Sequence, residues 1–122
     1  MGPSAQPLRI LGGLVDATLA YLEFTTVNGT GVNTSVRALA GWSLGTFTAG
    51  VAALTFPKHY RGIILLGSGE DLRGTPTTEH IFDLRTPSVA AGTGVIVATD
   101  KLAGTEENPT TTTIRLCFLV FE

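Results

Sequence analysis

TTTTIRLCFLVFE, residues 110–122, reads as a strand that is apolar on both faces. Side chains alternate along a strand with period two. Ile114, Leu116, Phe118 and Val120 therefore share one face, and Cys117, Leu119 and Phe121 share the other. A strand on the outside of a single sheet alternates apolar with polar residues. This one does not, and Glu122 closes the sequence, so cover for the second face is expected from a second layer of the same chain or from another subunit. Ile114, Leu116, Phe118 and Val120 are assigned to a sandwich core. Cys117, Leu119 and Phe121 are assigned to a subunit contact, with the reverse assignment of the two faces left open by the sequence.

Upstream of this strand the chain is a series of short strand-like runs punctuated by turn residues. VIVAT at 95–99 follows the GTG of 92–94, and IFDLR at 81–85 runs into Pro87, which is expected to end it. IFDLR places Ile81 and Asp83 on one side and Phe82 and Leu84 on the other. The continuous apolar run Ile63–Leu66 reads as a buried central strand. VAALTF at 51–56 stops at Pro57, and WSLGTF follows Gly41. Residues 14–26, LVDATLAYLEFTT, fit a helical stripe through Val15, Leu19 and Leu22 as well as a strand face through Ala20, Leu22 and Phe24; the exit Thr25-Thr26-Val27 favours strand. The polar segments 67–80 and 100–109 read as loops. The pattern of roughly eight short strands with turn chemistry between them predicts an all-β fold, an antiparallel β-sandwich of jelly-roll type. Residues 1–13, with two prolines and a Gly12-Gly13 pair around a short apolar piece, read as an extended N-terminal arm, and residues 14–122 as the sandwich domain.

Composition points toward assembly and away from several function classes. The 122 residues are 43% hydrophobic and only 15% charged, well under the usual ~25%. Low charge favours a chain that hides surface in an oligomer. The net charge is −2, the lysines are Lys58 and Lys101 alone, and the arginines are scattered, which argues against a nucleic-acid partner. No run approaches a membrane span of ~20 apolar residues. The first nine residues, MGPSAQPLR, do not read as a signal peptide, so synthesis in a cytoplasm is expected.

Catalytic chemistry finds little support. The single Cys117 precludes an intrachain disulfide framework and a multi-Cys metal site, and it reads as a small packed hydrophobe. His59 and His80 lie far apart in sequence with no cysteine near either, so no metal is assigned; Glu79 and Asp83 flank His80 but are separated by the strand reading. Gly67-Ser68-Gly69-Glu70-Asp71 lacks the lysine of a Walker loop, and no serine sits in a GxSxG elbow. No catalytic residue, cofactor site or metal site is expected, and the protein is read as a non-enzyme.

Residues 41–57, GWSLGTFTAGVAALTFP, with the apolar strand at 63–66 and the terminal RLCFLVFE, resemble small β-sandwich virion proteins of tailed bacteriophages. Head decoration (cement) proteins are the nearer likeness and fibre-tip domains the second; the pattern spans Val36 to Glu122. The resemblance implies a virion structural protein, made in the host cytoplasm, that binds the capsid exterior as a homotrimer and stabilises it. Its partners would be the major capsid protein and further copies of itself, without nucleic acid or membrane. The arm, with Pro3, Pro7, Leu8, Ile10 and Leu11, would then reach onto the capsid, and the terminal strand would lie near the three-fold axis. The fibre-tip alternative implies a receptor- or carbohydrate-binding domain recognising a host surface glycan through loops 67–80 and 100–109, with Trp42, Tyr60 and Tyr21 as candidate stacking residues, though core packing is the better role for Trp42.

Overall fold

The computed structural model describes residues 5–10, 15–26, 34–37, 39–67, 70–71, 80–109 and 112–122. They form β1 (Ala5–Ile10), β2 (Val15–Thr26), β3 (Thr34–Arg37), β4 (Ser43–Leu44), β5 (Val51–Thr55), β6 (Gly62–Leu65), β7 (Glu70–Asp71), β8 (His80–Ser88), β9 (Thr93–Asp100) and β10 (Thr112–Phe121). Every pairing is antiparallel. Sheet A runs β1-β2-β10-β6, with β3 also on β2 and β7 also on β10; sheet B runs β4-β5-β9-β8. The chain changes sheet between β3 and β4, between β5 and β6, between β7 and β8, and between β9 and β10. This alternation builds the expected β-sandwich from two antiparallel sheets.

The terminal strand is central. β10 pairs with β2 from Phe121 opposite Ala17 to Thr112 opposite Thr26, and its other edge carries β6 and β7. Its burial alternates strictly: Thr112, Ile114, Leu116, Phe118 and Val120 are buried, and the residues between them are half-buried. Ile114, Leu116, Phe118 and Val120 thus occupy the core as the alternation predicts, each with no exposed surface. Opposite them on β2 stand Phe24, Leu22 and Ala20. Sheet B supplies the facing layer through Leu44, Ala52, Leu54, Phe82, Ile96 and Ala98. Full burial of each large apolar side chain contributes about 1.5–3 kcal/mol, so this shared layer is what holds the two sheets together. One end of the core is closed by aromatic rings: Trp42 lies 5.2 Å from Phe118 and 5.7 Å from Phe56, centroid to centroid.

Several elements depart from the sequence reading for identifiable reasons. Ten strands are present among the described residues where about eight were expected, because β4 and β7 are two-residue pairings and β1 lies within the expected arm. The region 14–26 is one strand from Val15 to Thr26, since pairing partners on both edges override its helical stripe. Pro87 does not end its strand. β8 continues to Ser88 through a register shift between Arg85 and Ser88, with Thr86 at φ 47°. A proline is tolerated at a bulge on an edge strand, and β8 ends the order of sheet B. The run Ile63–Leu66 is not a central strand either: β6 ends the order of sheet A, with Ile63 buried and Ile64 and Leu66 exposed.

Candidate functional site

The face of sheet A turned away from sheet B is the first candidate. The register sets its residues in rows. Leu19 of β2, Leu119 of β10 and Ile64 of β6 form one row, and Ala17, Phe121 and Gly62 form the next. A Cβ added at Gly62 would approach the Phe121 ring to 3.2 Å, so that ring lies over the glycine backbone. On the other side of the first row, Tyr21 stands opposite Cys117, whose carbonyl accepts the Leu66 N–H at 2.8 Å. Leu19, Leu119, Phe121, Cys117 and Tyr21 are half-buried, while Ile64 and Leu66 are 48% and 40% exposed. The apolar patch gives way to a polar end, where Arg115 Nε meets Glu23 Oε2 at 3.2 Å and the Tyr21 hydroxyl donates to the same oxygen at 2.7 Å.

Cys117, Leu119 and Phe121 are thereby brought together on one outward face, as the alternation predicts. The sequence reading missed Leu19, Ile64 and Leu66, which extend that face onto both neighbouring strands. The signal is present in Ile63–Leu66, apolar on both faces like β10, a pattern that complete burial produces equally well. Burial raises the Cys117 thiol above its ordinary value, which disfavours the nucleophilic thiolate. Of the expected arm, Pro7, Leu8 and Ile10 lie in β1, paired with Thr18, Ala17 and Val15 of β2. Pro3 and Leu11 lie outside the described residues, as does most of loop 67–80. Trp42 is 5% exposed and sits in the core, donating a hydrogen bond to Tyr60, so it presents no stacking platform to a glycan.

A second constellation lies at the end of sheet B. The β8–β9 register puts His80 directly opposite Asp100. The chain then doubles back: Thr99 and Glu106 form an isolated antiparallel bridge, and the Glu107 N–H donates to the Ala98 carbonyl at 3.1 Å. Gly50 permits this return. Its φ is +84°, and a Cβ there would lie 2.7 Å from the Glu107 nitrogen; its own N–H donates to Asn108 Oδ1 at 2.7 Å. His80, Asp100 and Glu107 each place a potential ligand atom within 4.8 Å of the other two. His80 is 5% exposed, and its Nε2 is 3.6 Å from Glu107 Oε1. Asp100 Oδ1 accepts from the Leu102 and Ala103 N–H groups at 2.8 and 2.6 Å. The Ala103 N–H and a hydrogen bond with Glu107 hold Asp100 below its ordinary value, while that hydrogen bond raises Glu107.

This cluster is not legible as a site in the sequence, where the carboxylates near His80 are Glu79 and Asp83. Asp83 points away, exposed on the outer face of sheet B with Ile81, and Glu79 lies outside the described residues. The missed signal is the hairpin. His80 and Asp100 are equidistant from a turn centred on Ala90, a relation hidden once Pro87 is taken to end its strand. No protein family, curated protein or solved structure matches this chain.

Proposed function

We propose that this protein is a non-enzymatic structural subunit that acts as a homotrimer joined through the outer face of sheet A. Its role on this reading is capsid decoration in a tailed bacteriophage, bound to the capsid exterior. The observation that carries the reading is the row Leu19–Leu119–Ile64 with Phe121 and Cys117 around it, a contiguous apolar surface on the outside of a sheet. Such patches mark interaction sites on soluble proteins. The low charge of the chain and the virion-like pattern of residues 41–57 and 115–122 support the same role. A decoration protein needs no chemistry. It bridges capsomers with many modest contacts, and a trimer multiplies them by avidity. Residues 1–13 would supply the capsid contact, in part through β1, an edge strand of sheet A.

Sedimentation with purified capsids of the phage that encodes the chain tests this role. The wild-type protein is expected to pellet with capsids at saturation in threefold-related copies, and capsids carrying it should survive heating or chelation that opens bare ones. A protein that stays in the supernatant, or that is absent from purified particles, would overturn the decoration role.

A further inference from the structure

We propose that His80, Asp100 and Glu107 form a binding site for a single first-row divalent cation of the Zn²⁺ class, which ties the β8–β9 hairpin to the returning loop 100–109. The inference is independent of the assembly reading and rests on how the backbone places three ligands. His80 and Asp100 are paired across β8 and β9, and Glu107 enters from the segment that bridges Thr99 and Ala98 on the other side of β9. Three consecutive lanes of the sheet thus each contribute one donor. The donors are already gathered: all lie within 4.8 Å of one another, and His80 Nε2 and Glu107 Oε1 are 3.6 Å apart. Ligands at the usual ~2.0–2.1 Å from a tetrahedral Zn²⁺ stand roughly 3.3 Å from each other, so small side-chain adjustments close the site.

The surroundings hold Asp100 as outer-shell partners hold a metal ligand. Asp100 is oriented by two backbone donors on Oδ1 and meets Glu107 through a side-chain hydrogen bond that a bound cation would replace. The bonds to Asp100 Oδ1 are of the kind that fix a ligand's orientation. The Glu107 backbone is fixed through its own N–H and through the Gly50–Asn108 contact beside it. The imidazole forms a buried wall, while Glu107 is exposed and leaves an approach from solvent. One imidazole with two carboxylates gives a charge of −2 when both acids are ionised. Imidazole nitrogen selects Zn²⁺ and its first-row neighbours over Mg²⁺ and Ca²⁺. Three protein ligands leave a position for water, as in open zinc sites.

The full-length protein, stripped with chelator and titrated with ZnCl₂ by calorimetry, tests the site. One equivalent is expected to bind, with a rise in melting temperature. Co²⁺ in its place should develop visible absorption of a low-symmetry, nitrogen- and oxygen-ligated ion. Glu107→Gln and Asp100→Asn, both toward solvent and compatible with folding, should each weaken Zn²⁺ binding roughly tenfold or more and abolish the melting shift. His59→Gln, at the other histidine, should change neither. Absence of saturable binding at one equivalent would overturn the proposal, as would binding unchanged in both carboxamide variants. His80→Gln completes the set; should it fail to fold, the two carboxamide variants decide.

Discussion

Leu119 of β10 stands directly opposite Leu19 of β2 on the face of sheet A that sheet B does not cover. The relationship answers the question posed by a strand with two apolar faces. Its inner face meets the second layer of the same chain, and its outer face joins apolar neighbours on both sides into a surface. Leu119 and Phe118 are adjacent in sequence yet serve different contacts, because a strand turns successive residues to opposite faces. The consequences of that division are separable by substitution.

Phe118 has no exposed surface and touches the Trp42 ring, so Phe118→Ala should cost about 3–5 kcal/mol through lost burial and a residual cavity. Arg115→Ala, three residues away on the opposite face, removes a partly exposed pair with Glu23 and should cost at most about 1 kcal/mol. Urea denaturation of the two variants checks the contrast. Similar losses in both would mean that the inner and outer faces are misassigned.

Gly50→Ala should destabilise the fold by about 1–3 kcal/mol, since an L residue is strained at φ +84° and its Cβ would collide with the Glu107 backbone. The collision also displaces Glu107 from His80. Thermal melts read the first effect, and Zn²⁺ calorimetry on the folded variant reads the second as weaker binding. Wild-type stability in this variant would contradict the path given to loop 100–109.

Stability should fall on the alkaline side. Burial raises both the Cys117 thiol and the Tyr60 hydroxyl, and the Glu122 carboxylate raises Tyr60 further. The folded state therefore holds these protons more tightly than the unfolded chain. The contribution is complete below the unfolded pKa, about 8.5 for a thiol, and is lost as pH climbs through the folded value. Cys117→Ala with Tyr60→Phe should flatten the decline in denaturation midpoint between pH 8 and pH 11. The same raised value predicts slower alkylation of Cys117 by iodoacetamide at pH 8 in the folded protein than in urea. Equal rates would place the thiol in water.

The alternation in residues 114–121 carried the division of β10 into two faces because a two-residue period is a local property of the chain. Glycines and turn pairs likewise marked most strand ends from Gly41 onward. The edge position of Ile64 was hidden, since two apolar faces look the same whether a second sheet or a second molecule covers them. The cluster of His80, Asp100 and Glu107 was hidden for a different reason. Its members meet only through hairpin register and a loop that doubles back past Gly50, and a bulge at Pro87 broke the strand pattern that would have revealed the register.

The most direct measurement is molar mass in solution by light scattering, for the wild-type protein and for Leu119→Glu. The wild-type chain is expected to be a trimer at micromolar concentration. Leu119→Glu places a charge on the outer row while leaving the core residues untouched, so it should be a monomer with an unchanged circular dichroism spectrum. A monomeric wild-type protein, or a Leu119→Glu variant that keeps the wild-type mass, would contradict the assignment of this face as the subunit contact.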